Sequence, residues 1–542
     1  MRKIIVLLVL QVCLGVVGQA QAALDKDSAE AKLGERLFLE TRFAQFFAAN
    51  CGGNFNATLN AGDPVMAVLV KADGTIPGPF AGQSMNCRAC HLVGDAAQTP
   101  GGGFRTYADF ARRSPIPFRI EDGLTLTPRN SPSLVNGLLN LSSKRTLHFD
   151  GEFPTITDLI KGTLTGRNFG WLPDESGAAL HHIAQVIRRD NGSGQLAQDS
   201  GGAYRDVFAA SGAVDEEFKI PEQYQLDVMK ASDAEILDAV AKLMAVYVHT
   251  LQFQVTPGGT FVGSPYDVFL KKNGLPQQPK GRKSDLVYAR DLRARLAALS
   301  NPQFVTEADG KLANHNGQPF VFGPKEMQGL QIFLSEPMAG NSSASVGNCL
   351  ACHAPPRFTD FGFHNTGATQ EEYDFIHGEG AFMKLAIPSL NDRMQNPDAF
   401  LPATAAHPKA TGVFRSIPIA GDARQTDLGV WNIFANPDMP TAQKHILASL
   451  NLKHADPETV LTRCIGAFKT PGLRDLPDSA PFLHTGRMDT LTDVLHFYQR
   501  FSTAARLGAV RNADLEIAKI NISEDDVDAL EAFLLSLTED YD

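Results

Sequence analysis

Cys87-Arg-Ala-Cys90-His91 and Cys349-Leu-Ala-Cys352-His353 are the stretches whose reading decides the fold. Each is C-x-x-C-H, the spacing at which two thiols add to the vinyl groups of one haem and the adjoining histidine becomes an axial ligand of its iron. One copy can arise by chance in 542 residues; two copies behind an export leader are hard to explain that way. The competing reading is a pair of disulfide loops or zinc sites. Zinc takes two C-x-x-C pairs close together, or one pair with two histidines, whereas these pairs lie far apart and each is followed at once by His. The sequence therefore predicts two covalently bound haem c groups on Cys87, Cys90, Cys349 and Cys352, with His91 and His353 on the irons.

The rest of the chain agrees with an exported, mostly helical protein. Arg2 and Lys3 precede the apolar run Ile4 to Val17, and Ala20-Gln21-Ala22 is a small-x-small cleavage site, so residues 1–22 read as a signal peptide. That run is too short to span a membrane, and no later segment is apolar enough, so no membrane span is expected. Export and thioether chemistry together point to the periplasm. Hydrophobic residues at 43% and charged residues at 20% are ordinary for a globular chain, and a net charge of −11 argues against a nucleic-acid partner. Of seven cysteines, Cys13 falls in the leader and four belong to the haem motifs. Cys51 and Cys464 remain, either as a disulfide or as two buried thiols.

The chain also repeats itself. Gly34-Glu-Arg-Leu37-Phe38 precedes the first motif and Gly329-Leu-Gln-Ile332-Phe333 the second, each with an apolar pair on one helical face. Asn130-Ser-Pro132 follows the first motif as Lys469-Thr-Pro471 follows the second. Asp150 to Leu159 aligns with Thr485 to Val494, with Thr155 and Thr490 as helix N-caps and Asp158 and Asp493 three residues on. Each half closes on a capped amphipathic helix, from Ser232 to about Leu251 and from Ser523 to about Leu537. The expected architecture is two cytochrome c-like haem domains in tandem, 23–257 and 258–542. Long loop insertions are expected near Asn50 to Gln83 and Asn396 to Arg463.

Taken together, these residues resemble one family. Arg357-Phe-Thr-Asp360, Phe363-His-Asn-Thr-Gly367, Phe468-Lys-Thr-Pro-Gly-Leu-Arg474, Ala480-Pro-Phe-Leu-His-Thr-Gly486 and Phe497-Tyr498 fall in the order seen in the bacterial dihaem cytochrome c peroxidases and MauG. The first half adds Leu33-Gly34, Leu37-Phe38, Arg42, Arg129-Asn-Ser-Pro132 and Asp150-Gly151. The resemblance implies a peroxide-reducing haem on His91, an electron-transfer haem on His353, and one calcium ion near Asn130, Ser479 and Pro481, whose oxygens suit that cation. Tyr498 stands fourteen positions after His484, where the peroxidases carry Met and MauG carries Tyr, so the resemblance makes Tyr498 the second iron's other ligand. Met488 is the alternative ligand, with Tyr498 a core aromatic. Leu92 to Leu147 holds neither His nor Met, which implies an open first haem; Tyr107 is the remaining candidate to close it.

Several positions depart from the family. Its inter-haem Trp is Phe149 here, its Gln is Leu159, its distal Glu falls on Phe169, and the Arg of its Asp-Gly-Arg is Glu152. Splitting peroxide needs a group that carries a proton between the two oxygens, so Glu152, Glu175 and His148 become candidates for that work, with Phe149 between the haems. The implied activity is reduction of hydrogen peroxide, with electrons from a small redox protein (a cytochrome c or cupredoxin) or from a protein substrate. Two alternatives stay open: a dihaem oxygenase acting on an apolar substrate, and a non-enzymatic electron-transfer cytochrome.

Overall fold

The computed structural model describes residues 28–66, 68–71, 74–77, 84–91, 113–138, 146–281, 284–310, 319–337, 345–450 and 452–539. The leader and Tyr107 lie outside them. The described chain is mostly helical, and its strands form only two two-stranded ribbons: Val68–Lys71 with Gly74–Pro77, and Phe363–His364 with Phe468–Lys469. No helix among the described residues is long and apolar enough to cross a membrane.

Two helix crossings are built alike. Ala29–Phe38 packs on Asp233–Thr250, and Pro324–Phe333 packs on Glu524–Leu535. Glycine makes each crossing possible: a Cβ on Gly34 would land on the Leu243 carbonyl, and one on Gly329 on the Ala529 carbonyl. An aromatic pair seals each crossing edge to face, Phe38 on Tyr247 at 5.3 Å and Phe333 on Phe533 at 5.1 Å. Both partner helices are capped at their start: Ser232 and Glu235 form a reciprocal capping box, and the Asp526 carboxylate accepts from the amide and hydroxyl of Ser523. Thr155 and Thr490 each accept a hydrogen bond at 3.1 Å, from the amides of Asp158 and Asp493. In these two caps the Asp carboxylate meets the threonine hydroxyl.

One buried apolar core gathers residues between Leu33 and Leu251, and a second gathers residues between Tyr266 and Leu537. A third core corrects the expectation of loops after Asn396. The helices Pro397–Phe400, Ala442–Ser449 and Pro457–Cys464 enclose Trp431, Phe414, Ile433 and Leu461. Asn, Asp and Pro mark the helix ends there, and the apolar residues between them are enough to fill a core. The first insertion likewise contains the Val68–Lys71 and Gly74–Pro77 hairpin. Cys51 and Cys464 are both buried and both free, so no disulfide joins them. Cys464 belongs to the third core, whereas Cys51 ends the helix Gln45–Asn50.

Candidate functional site

Each C-x-x-C-H forms one tight helical turn, because the histidine amide folds back onto the first cysteine carbonyl: His91 to Cys87 at 2.9 Å, His353 to Cys349 at 2.8 Å. The turns are anchored from the residue before them. Asn86 caps the first turn and donates to the Leu39 carbonyl at 2.9 Å, tying it to the Ala29–Phe38 helix. Asn348 donates to the Glu516 carbonyl at 3.0 Å. All four thiols and both imidazoles then line one continuous cavity of about 870 Å³.

The donor set fits two haems. His353 Nδ1 lies 2.8 Å from the Phe358 carbonyl. That bond fixes the proton on Nδ1 and leaves Nε2 free as a ligand. Burial lowers the His353 pKa, and it pulls that of His91 down to about 4, with the Pro132 carbonyl opposing. Both rings are therefore neutral at physiological pH, the form that binds iron. The Pro471 carbonyl opposes burial at His353 as Pro132 does at His91. Burial pushes the thiols of Cys90 and Cys349 up to about 12. Unmodified, they would be poor metal-binding thiolates.

The walls facing the two motifs differ. Tyr498 lines the cavity, and its hydroxyl is buried within electrostatic reach of Cys352 and Cys349. Met488 does not line it; that side chain packs with Ala368 and Phe497. In the first half Phe149, Leu159 and Phe169 line the cavity, so three of the departures from the family pattern make an apolar wall. Glu152 lines it too, with its carboxylate already engaged. Arg415 donates to it at 2.6 Å and His148 Nδ1 lies at 3.1 Å. Burial raises the Glu152 pKa, but Arg415 and His148 outweigh it and hold the carboxyl well below its usual range. Glu175 is outside the cavity lining. Its carboxylate accepts from Arg119 at 2.6 and 2.8 Å and from the Leu172 amide.

Between the halves lies a buried polar seam. The Asn130 amide donates to the His484 carbonyl at 2.8 Å, and its side chain donates to the Pro481 carbonyl at 2.5 Å. Asn130 and Pro481 are thus brought together, while the Ser479 hydroxyl turns to the Asp475 carbonyl. Arg129 bridges Asp150 and Asp427, each at 2.6 Å, and Arg415 reaches both Asp150 and Glu152. The Lys469 amide donates to the Phe149 carbonyl at 2.7 Å, so Phe149 lies where the halves meet. Sequence reasoning missed Arg415, Asp427 and the Arg113–Glu372 pair. Their partners stand hundreds of positions away, and only Arg129, inside a quoted motif, carried any signal.

No family model matches the chain. Over 192 residues it is 27% identical to the cytochrome-c peroxidase IdrP2 of Denitromonas iodatirespirans, a match covering 35% of this chain and 36% of that protein. The match thus takes in about a third of that relative's length. Among solved structures, the diheme peroxidase BthA from Burkholderia thailandensis E264 aligns over 95% of this chain and 87% of its own, at 16% identity and a TM-score of 0.43. A MauG-like protein associated with microbial copper homeostasis aligns over 94% and 89%, at 15% identity and a TM-score of 0.43. The family resemblance read from the motifs agrees with the name of the curated relative.

Proposed function

We propose that the chain is an exported, periplasmic dihaem c-type oxidoreductase that reduces hydrogen peroxide at the first haem with electrons relayed through the second. The observation that carries this reading is the single cavity lined by both C-x-x-C-H turns and by Tyr498, which is within electrostatic reach of the second pair of cysteines. Residues 23–257 and 258–542 would each form one haem domain, as the two alike helix crossings support. Cys87, Cys90 and His91 would hold the first haem; Cys349, Cys352, His353 and Tyr498 the second. When bound, the haems supply iron that exchanges electrons one at a time and a conjugated ring that spreads charge. The chain contributes neutral histidine ligands, an apolar wall at Phe149, Leu159 and Phe169, and on the second side the Tyr498 phenol, which burial keeps protonated and which would favour ferric iron once bound as phenolate. Asn130, Ser479 and Pro481 would gather one calcium ion at the seam. The electron donor would be a small redox protein, with a protein side chain as the other source.

Electron paramagnetic resonance of the ferric protein tests the ligands directly. One high-spin haem and one low-spin or mixed haem that changes in Tyr498→Phe is the expected result. Tyr498→Phe keeps the ring, so folding should survive. An unchanged ferric spectrum in that variant would return Tyr498 to the core and make Met488→Leu the next variant to examine. Reduction of peroxide by the wild type, with a reduced cytochrome c or cupredoxin as donor, checks the activity.

The apolar wall favours one second reading, a dihaem oxygenase acting on an apolar substrate. A stable complex of the reduced protein with oxygen, and cleavage of an alkene without peroxide, would select it. An electron-transfer cytochrome would instead show no high-spin ferric signal.

A further inference from the structure

The first half's cavity wall lacks the carboxylate its resemblance calls for, yet it presents an acid–base pair built another way. We infer that His148 is the proton-transferring catalytic residue at the first haem, with Glu152 and Arg415 as its positioning residues; this rests on the peroxide-reducing reading above. His148 lines the same cavity as His91, Phe149, Leu159 and Phe169. Its Nδ1 lies 3.1 Å from Glu152 Oε2, and Arg415 holds that same oxygen at 2.6 Å. The carboxylate accepts from Nδ1–H, and Nε2 has no partner among the described residues. The ring also stands edge to face on Phe153 at 4.9 Å, which restricts its rotation.

The backbone supports a functional constraint. His148 has φ +63°, a left-handed conformation costly for a non-glycine residue. The turn is over-determined by the Leu147–Phe153 bridge and by the Lys469 bond to Phe149. Arg415 comes from the insertion of the second half, so the pair is complete only when both halves are in place. Charged groups beside the pair include Asp150 and Arg129, which bond to each other at 2.6 Å, and Lys469, whose ammonium donates to the Thr146 carbonyl at 3.3 Å; the neutral His91 ring is within electrostatic reach of His148.

In the proposed step, His148 Nε2 takes the proton from the inner oxygen of hydrogen peroxide and delivers it to the outer oxygen. The O–O bond breaks and the outer oxygen leaves as water. Two electrons from the reduced small redox protein and two protons from solvent convert the remaining oxygen to a second water, so that H2O2, two protons and two electrons give two waters. Aimed general acid–base groups contribute about 10²–10⁴-fold.

Hydrogen cyanide supplies a readout besides turnover, because it must also lose a proton to a nearby base when it binds ferric haem; imidazole binds without that transfer. Stopped-flow association should be measured for both ligands in the holoprotein. His148→Asn keeps a residue type that tolerates positive φ, and His148→Phe serves if that variant does not fold. Cyanide association should fall about 10²-fold or more in either variant, imidazole association should stay within a few-fold, and Glu152→Gln should fall in between. Unchanged cyanide rates would overturn the assignment, and so would an equal loss with both ligands, since that is the mark of a collapsed pocket. A wild type that binds cyanide quickly but reduces no peroxide would remove the proposed function and leave the proton-transfer role of His148 standing.

Discussion

The two helix crossings and the two cavity walls make opposite comparisons within one molecule. Gly34 with Phe38 and Tyr247, and Gly329 with Phe333 and Phe533, repeat nearly the same contact. The walls diverge: His148, Leu159 and Phe169 on one side, Tyr498 on the other. A crossing is fixed by excluded volume, which accepts few substitutes. A wall has only to enclose its contents, so its polar groups can change with the chemistry. The helix crossing is common to both halves, whereas the cavity walls and the inserted segments, a hairpin in one half and a third core in the other, set them apart.

The comparison breaks most completely at the attachment turns. Cys87→Ala with Cys90→Ala should leave one haem per chain, and Cys352→Ser should lose about half of the haem stain on a denaturing gel. Retention of both haems in the first variant would sink the covalent reading. Next in size is the seam. Arg129→Ala strips the shared partner from buried Asp150 and Asp427 and should cost about 3–5 kcal/mol in a denaturant titration. Asp427 and Glu152 have depressed folded-state pKa values. Their stabilisation is therefore present above the unfolded carboxylate values, near 4, and is lost as pH falls below them; stability measured from pH 7 down to 3 should decline across that lower range. At the crossings, Gly34→Ala and Gly329→Ala should each cost about 1–3 kcal/mol through overpacking, and similar losses would confirm that the two are one device used twice. The smallest expected effects are at the caps, where Thr155→Ala and Thr490→Ala should each cost about 1 kcal/mol of stability.

What was legible in the sequence was local. The C-x-x-C-H turns, the Gly-x-x-apolar-apolar helices and the Ser and Thr caps depend on neighbours within a few positions, and the structure places them as read. The insertion after Asn396 was misread because its helices are short and begin at Pro397 and Pro457, residues that also mark loops. The partner of Glu175, Arg119, lies 56 residues earlier and left no local mark. The Arg415–Glu152 pair spans 263 residues and has no local pattern at all. The apolar wall was legible only as a set of departures, and its geometry came from the fold.

The seam also sets an order of events as the chain folds. Its bonds close very long loops, 298 residues between Arg129 and Asp427 and 351 between Asn130 and Pro481, whereas the capped helices need only their own turns. Loop-closure entropy must be met before such distant contacts repay it, so they form late. The helix crossings should then assemble while the cavity still gapes at the seam, a stage at which both C-x-x-C-H turns would be open to haem on the proposed reading. Pulse-labelled hydrogen exchange should show the amide of Asn130 protected after those of the Asp233–Thr250 helix.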